Sequence, residues 1–181
     1  MKRMTIRNSD GSVSQPTDLN WKEALERLAA FEDMWESLNC TQIKVMLDDG
    51  AILPTRAHED DAGLDIYAPT TMEDRTLFAR GSLKVDTGVH IEIPKGFVGL
   101  LMSKSGLNVN DDITSEGVID TGYTGSMTAK LYNNGDDDHC FHGGDKLTQL
   151  VIVPIITPKP VVVNRFKTTE RGDNGFGSTG R

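Results

Sequence analysis

The chain has 181 residues, of which 37% are hydrophobic and 25% are charged, a composition typical of one soluble globular domain. It contains no apolar run of the roughly 18 residues that a membrane span requires, and its first residues lack the apolar segment of a secretory signal, so a cytoplasmic protein is predicted. A formal net charge of −8 argues against nucleic-acid binding, and two cysteines, Cys40 and Cys140, are too few for a disulfide framework.

The first 41 residues are predicted to form a separate N-terminal part. Residues 1–16 are polar and show no hydrophobic period, which predicts a mobile arm. Residues 20–38 are predicted to form an amphipathic helix, because Asn20 and Glu23 match a capping box and neither Gly nor Pro interrupts the segment. Apolar residues recur in it at steps of three and four, at Trp21, Ala24, Leu28, Phe31, Trp35 and Leu38.

From residue 42 onwards, short β-branched runs separated by turn residues indicate strands. The predicted strands lie within residues 42–47, 82–94, 97–103, 127–133, 147–156 and 160–164. Val89, Ile91 and Ile93 alternate with polar residues, as in a half-buried strand. Residues 42–181 are therefore predicted to form an all-β domain, a sandwich or jelly roll, with a flexible Gly-rich end from about residue 168.

The stretch "GVIDTGYTG", residues 117–125, places an acid and a phenol at the end of a predicted strand. Asp120 follows an apolar pair, Tyr123 comes three residues later, and Gly117, Gly122 and Gly125 surround them. Neither side chain contributes to a core at such a position. A carboxylate at the tip of a turn is free to face a ligand.

The Gly-rich tail admits two interpretations, one as a ligand-binding segment and one as a segment without a ligand. Glycines allow backbone N–H groups to surround an oxyanion, a guanidinium and two hydroxyls add donors, and an aromatic ring is suited to stacking on a base. The residues concerned are Arg171, Phe176, Gly177, Ser178 and Thr179. The alternative is a disordered terminus without a ligand.

Three further stretches carry polar residues beside predicted strands. In "SKSGL", Lys104 and Ser105 are suited to holding a phosphate where the chain turns at Gly106, or they lie in a plain loop. In "GDKLTQL", Gln149 lies among apolar residues and needs hydrogen-bond partners if it is buried. In "AGLDIYA", Asp65 lies on a predicted strand, where an exposed strand face explains it equally well.

Two clusters are interpreted as structural. Residues 139–142, "HCFH", contain metal-binding residue types, but their spacing matches no common zinc pattern and no second pair lies elsewhere. Residues 136–138, "DDD", are typical of a solvated turn.

Taken together, "AGLDIYA", "SKSGL", "GVIDTGYTG", "GDKLTQL" and "RGDNGFGSTG" closely resemble, in content and order, the five motifs of the trimeric dUTPases. The resemblance covers about residues 42–181. Two residues depart from the family pattern: Lys104 replaces the usual Arg, which removes a bidentate fork, and Thr148 replaces the usual Ala. The dCTP deaminases share the fold, but the Asp-x-x-Tyr-x-Gly turn and the tail favour dUTPase.

The resemblance implies a jelly-roll homotrimer that converts dUTP to dUMP and pyrophosphate, limits uracil incorporation into DNA and supplies dUMP for thymidylate synthesis. It implies that Asp120 is the general base and that Tyr123 excludes a ribose. Backbone groups around Gly117, Met127 and Thr128 are implied to read uracil. The implied phosphate ligands are Lys104, Ser105, Gly106 and Gln149, and the implied lid over the γ-phosphate and the uracil consists of Arg171, Phe176, Gly177, Ser178 and Thr179.

Mg²⁺ is the implied cofactor, bridging the three phosphates, with Asp65 in its water shell. Each site is implied to draw on all three chains, with the tail reaching a neighbour. An alternative function from another class is a regulatory binding module, in which the N-terminal helix with Trp21 and Trp35 contacts a protein partner.

Overall fold

The computed structural model describes residues 6–7, 13–14, 25–26, 29, 32, 42–169 and 172–173. The strands are labelled in chain order as β1 (Ile6–Arg7), β2 (Val13–Ser14), β3 (Lys44–Leu47), β4 (Gly63–Tyr67), β5 (Arg75–Leu77), β6 (Ser82–Asp86), β7 (Val89–Glu92), β8 (Phe97–Met102), β9 (Ile113–Ile119), β10 (Thr128–Asn133), β11 (His139–Phe141) and β12 (Lys146–Pro154). A short helix, α1 (Ser105–Asp111), connects β8 to β9. Within the described ranges, no helix has the length and apolarity to cross a membrane.

Six strands form the main sheet, in the order β4–β12–β8–β9–β10–β6. The longest strand, β12, pairs with β4 on one side and with β8 on the other. Three further pairs, β1–β2, β3–β7 and β5–β11, complete the strand pairing of the described residues, and all of these pairings are antiparallel. The predicted all-β class is confirmed.

Two apolar clusters fill the domain. One lies where β4, β7, β8 and β12 meet and contains Leu64, Ile66, Val89, Ile91, Ile93, Leu101, Ile119, Met127 and Leu150. The other lies around β5, β6 and β10 and contains Ala68, Leu77, Leu83, Val85, Ile113, Ala129, Leu131, Phe141 and Leu147. The alternation predicted at β7 is confirmed, since Val89, Ile91 and Ile93 are buried while Glu92 is exposed.

Residues 160–164, predicted as a strand, are not one. They form no strand pair among the described residues, and Val162 is 98% exposed. Their β-branched side chains favour a strand, but strand propensity depends on packing against a neighbour, and no such neighbour is available within the described part of the chain.

The N-terminal part is described at a few positions. The predicted mobile arm contains β1 and β2, which pair antiparallel, and the sequence analysis did not predict these two strands. Leu25, Glu26, Ala29 and Glu32 are helical and exposed, as the predicted helix over 20–38 requires. The apolar stripe of that helix lies outside the described residues.

Candidate active site

The predicted acid and phenol lie in the connection between β9 and β10. Asp120 directly follows β9, and its carbonyl accepts a hydrogen bond of 3.1 Å from the backbone N–H of Tyr123, which closes a turn. The Tyr123 hydroxyl donates to the carbonyl of Ser126 at 2.9 Å. The Thr121 hydroxyl lies 2.9 Å from the carbonyl of Phe97 and anchors the turn to the start of β8. Asp120 is exposed, as predicted for a carboxylate at a strand tip.

Gly125 fixes the position of the phenol ring. A Cβ at residue 125 would lie 2.6 Å from the Tyr123 hydroxyl oxygen and 2.8 Å from Cζ. The ring therefore lies directly against the backbone of its own turn, and any side chain at residue 125 would displace it. The glycine of the sequence motif is explained by this close approach.

A pocket of about 250 Å³ opens beside this turn. It is lined by Leu101, Gly117, Val118, Ile119, Asp120, Tyr123 and Thr128. Four of the predicted site residues, Gly117, Asp120, Tyr123 and Thr128, are thus brought together by one chain. The sequence analysis missed Leu101, whose side chain lies 3.2 Å from where a Cβ of Gly117 would be, so Gly117 leaves room between the two strands.

Met127 does not line this pocket. Its side chain is 1% exposed and belongs to the core, its N–H donates to the carbonyl of Val89 at 2.9 Å, and its carbonyl accepts from the N–H and the hydroxyl of Thr87. These backbone groups are already occupied by the connection between β6 and β7. A contact between the backbone of Met127 and a ligand stays a prediction, and Thr128 is the residue of this pair that lines the pocket.

His90 links the turn to the neighbouring sheet. Its Nδ1 lies 2.8 Å from the carbonyl oxygen of Thr124, and its Nε2 lies 3.1 Å from Oδ2 of Asp48. Both partners are acceptors, so only the imidazolium form donates both hydrogen bonds. The bond to Thr124, and then the bond to Asp48, raises the pKa of His90 above its ordinary value, with a smaller contribution from Asp86. No feature of the sequence indicated this contact.

We expect the contribution of His90 to stability to depend on pH. Because the pKa is raised in the folded chain, the stabilisation is complete below the unfolded-state pKa of about 6.5 and is lost as pH rises through the folded-state pKa. The difference in melting temperature between the native chain and His90→Gln should be largest near pH 6 and should shrink by pH 8.5. His58→Gln, at an exposed histidine, is the matched control. A difference in melting temperature for His90→Gln that does not vary with pH would refute the charged form of His90 as the donor of both hydrogen bonds.

A second polar cluster is centred on Asp65 in β4. Its Oδ1 lies 2.5 Å from Nζ of Lys104, and its Oδ2 lies 2.8 Å from Nζ of Lys146. Burial alone would raise the pKa of Asp65, but the hydrogen bonds from Lys104 and Lys146 outweigh it, and the pKa lies below its ordinary value. The hydrogen bond to Asp65 also raises the pKa of Lys146. Asp65 is 4% exposed, so this pairing keeps a buried carboxylate ionised.

The arrangement corrects one interpretation of Asp65, which does not lie on an exposed strand face. Both of its oxygens accept from lysine ammonium groups. A place for Asp65 in the water shell of a magnesium ion stays a prediction. Lys146, which the sequence analysis missed, lies in the same motif as Gln149 and is brought to Asp65 by the pairing of β12 with β4.

The remaining predicted phosphate residues lie near this cluster. The Gln149 side chain donates to the carbonyl of Ser103 at 2.9 Å, which confirms that a half-buried Gln finds a partner here. Ser105 and Gly106 are exposed in the first turn of α1, rather than in a loop as one interpretation had it. Thr148 is buried, and its hydroxyl donates to the carbonyl of Met102.

The two clusters lie at opposite ends of the β8–β9 pair. Ile119, which precedes Asp120, pairs with Gly99 near the start of β8, whereas Lys104 follows the end of β8. At about 3.3 Å per residue, the chain between Gly99 and Lys104 spans roughly 16 Å. One chain therefore does not bring the carboxylate of Asp120 next to the lysine cluster. The predicted lid residues, Arg171, Phe176, Gly177, Ser178 and Thr179, lie outside the described residues.

Comparison with known protein families gives a match to the dUTPase family model over residues 49–180. The deoxyuridine 5′-triphosphate nucleotidohydrolase of Clostridium acetobutylicum is 38% identical over 137 residues, which cover 74% of this chain and 92% of that protein. The enzyme of the same name from Paramecium bursaria Chlorella virus 1 is 39% identical over 135 residues, which cover 74% of this chain and 94% of that protein.

Solved structures give the same similarity. The dUTPase of Staphylococcus bacteriophage 80alpha, solved with dUpNHpp, matches with a TM-score of 0.71 and 31% identity over 78% of this chain and 99% of that chain. A mutant dUTPase from phage phi11 of S. aureus, in which the coordination of a structural Mg(II) ion was described, matches with a TM-score of 0.64 and 31% identity over 71% of this chain and 100% of that chain.

Proposed function

Since this chain belongs to the dUTPase family, we propose that it hydrolyses dUTP at the α-phosphorus to dUMP and pyrophosphate, with Asp120 as the general base. The observation that carries the proposal is the pocket in which Asp120, Tyr123, Gly117 and Thr128 meet, within the matched residues. The cellular consequence is less uracil incorporation into DNA and a supply of dUMP for thymidylate synthesis.

A positioned base is central to the proposed chemistry. A water oxygen attacks the α-phosphorus, its proton passes to the carboxylate of Asp120, and the bond to the oxygen bridging to the β-phosphate breaks, releasing pyrophosphate. Base assistance of this kind contributes roughly a hundred- to ten-thousand-fold. The exposure of Asp120 and the closed turn that begins at it support this role, because Asp120 lines the pocket and remains accessible to water.

Selectivity is proposed to come from the pocket walls. Tyr123, held against Gly125, would lie against the deoxyribose, where a 2′-hydroxyl would clash. The backbone at Gly117 and Thr128 would pair with the uracil edge, so that cytosine would leave buried groups unpaired. A pocket of about 250 Å³ is small for a ligand site, which favours a pyrimidine over a purine.

The substrate is proposed to arrive as the magnesium complex of dUTP, with the ion held by the phosphates and water. Lys104, Ser105, Gly106 and Gln149 would receive the α- and β-phosphates. Arg171, Ser178 and Thr179 of the tail would close on the γ-phosphate, while Phe176 and Gly177 would cover the uracil. Lys104 is bonded to Asp65, so a phosphate would share its ammonium group with that carboxylate.

A homotrimer with shared sites is the proposed assembly. Two observations support it. The span of roughly 16 Å between the two clusters suits a site completed by another copy of the chain. Residues 155–166 follow the last strand, and more than three-quarters of the surface of Ile156, Val161, Val162 and Phe166 is exposed. Such an apolar segment is suited to packing on another copy of the chain.

The N-terminal part is proposed to serve another purpose than catalysis. The family match begins at residue 49, so the predicted helix over 20–38 lies outside it. The proposed alternative role of this helix is to bind a protein partner, and such binding is compatible with catalysis.

A nucleotide panel tests the activity. With Mg²⁺, the chain is expected to release pyrophosphate and dUMP from dUTP. Its turnover of dTTP, dCTP and UTP should be lower by about a hundredfold or more, because each analogue clashes with the pocket or leaves a buried group unpaired. Pyrophosphate release and nucleotide products are measured together. Ammonia release from dCTP would instead identify a deaminase, and no turnover of any nucleotide would favour a binding module.

A further inference from the structure

Three metal-binding side chains converge on the outer face of the β5–β11 pair. Cys140 in β11 lies opposite Thr76, and His142 follows two residues later, on the same side of the extended chain. Asp74 directly precedes β5. The ligand atoms of Asp74, Cys140 and His142 all lie within 4.8 Å of one another, and all three residues are exposed, whereas Phe141 between them is buried.

The separation of the carboxylate and the imidazole fits a shared cation better than a direct bond. Nε2 of His142 lies 3.8 Å from Oδ2 of Asp74, which is too long for a hydrogen bond. Two ligand atoms at about 2.1 Å from one tetrahedral zinc ion would lie roughly 3.4 Å apart, so a small approach would bring both into coordination.

The second nitrogen of the imidazole faces a carboxylate. Nδ1 of His142 lies 3.4 Å from Oδ2 of Asp145, and that same oxygen accepts the backbone N–H of His142 at 2.7 Å. In metal-binding histidines the second nitrogen commonly donates to a carboxylate, and a small approach of Asp145 would make that bond and leave Nε2 as the ligand. Asp145 thus acts on the site through His142.

The backbone that carries the cluster is held in place. The Asp145 N–H donates to the carbonyl of His142 at 3.1 Å, and Gly144 adopts a φ of +90°, which favours glycine. Two hydrogen bonds join the turn to Ala68. The Gly144 N–H donates to the carbonyl of Ala68, and the Ala68 N–H donates to the carbonyl of Asp145. A ligand set on such a turn loses little conformational freedom when it binds an ion.

We propose that Asp74, Cys140 and His142 form a binding site for a divalent transition metal, with Zn²⁺ the best fit and water in the fourth position. A thiolate, an imidazole and a carboxylate select against Mg²⁺ and Ca²⁺, which prefer oxygen ligands. On binding, the S–H bond of Cys140 releases its proton to solvent as the sulfur–metal bond forms. None of these three residues lines the pocket beside Asp120. "HCFH" alone did not reveal it, because Asp74 is distant in sequence.

Titration of the full chain with Co²⁺ under reducing conditions tests the proposal. We expect a near-ultraviolet band from charge transfer between thiolate and cobalt, saturating at one ion per chain and lost when Zn²⁺ is added. Cys140→Ser should abolish the band, and Asp74→Asn and His142→Gln should weaken Co²⁺ binding about tenfold or more. Cys40→Ser and His139→Gln are the matched controls and should leave the band unchanged.

Each alternative result overturns the proposal. A native chain without a saturating band has no such site. A band that survives Cys140→Ser or disappears in Cys40→Ser would show that Cys140 is not the thiolate ligand. Retained dUTP turnover and an unchanged far-ultraviolet circular dichroism spectrum verify that Cys140→Ser is folded. The readout does not depend on nucleotide hydrolysis, so the proposal and the proposed enzymatic activity fail independently.

Discussion

The Asp120→Asn variant is expected to lose about 99% or more of its dUTP turnover while KM changes only a fewfold. Asparagine keeps the shape of the side chain but does not accept the proton of the attacking water, and base catalysis typically contributes at least a hundredfold. Substrate binding should persist, because the pocket is also formed by Gly117, Tyr123 and Thr128. Steady-state kinetics and equilibrium binding of a non-hydrolysable dUTP analogue measure the two quantities separately.

The matched control is Glu116→Gln, an exposed carboxylate on the same strand that pairs with Met102 and does not line the pocket. It should keep native turnover. Since Asp120 is exposed, its replacement should leave the melting temperature nearly unchanged. Turnover near the native value in Asp120→Asn would place the base elsewhere.

Removal of residues 171–181 is expected to lower kcat/KM for dUTP about a hundredfold or more without unfolding the chain. The truncation takes away the proposed lid donors Arg171, Ser178 and Thr179, and hydrogen bonds to a charged group contribute roughly 1.5–3 kcal/mol each. Folding should persist, because the last described strand ends at Pro154 and both apolar clusters consist of residues before it.

The comparison truncation removes residues 1–39, which precede the matched family region. It should keep dUTP turnover while its melting temperature or solubility falls. Kinetics, thermal unfolding and molecular mass in solution are measured on both truncations. Full activity without residues 171–181 would contradict the lid, and lost activity in a folded chain without residues 1–39 would show that the N-terminal part helps build the site.

The sequence predicted the elements that depend on local pattern. Alternation identified β7, and the position of Asp120 after an apolar pair identified the strand tip. Helix α1 escaped notice because Gly106 and Asn108 are poor helix formers and no side chain caps its start.

The sequence did not predict contacts between residues distant in sequence. The backbone of Met127 is hydrogen-bonded to Thr87 and Val89, which no local pattern indicates. The ion pairs of Asp65 and the bond from His90 to Thr124 arise in the same way. Such pairs form only when strands assemble, and one sequence carries no local signal of them.

The lysines that flank Asp65 also affect how an anionic ligand arrives. Two ammonium groups and one carboxylate leave one unit of positive charge there, on a chain of net charge −8. At physiological ionic strength the Debye length is about 8 Å. Salt therefore screens the repulsion between the ligand and the more distant negative charges of the chain more strongly than its attraction to the nearby positive charge at Asp65. Moderate salt should therefore assist the encounter with a triphosphate, the reverse of what is usual for proteins that bind polyanions through broad basic surfaces.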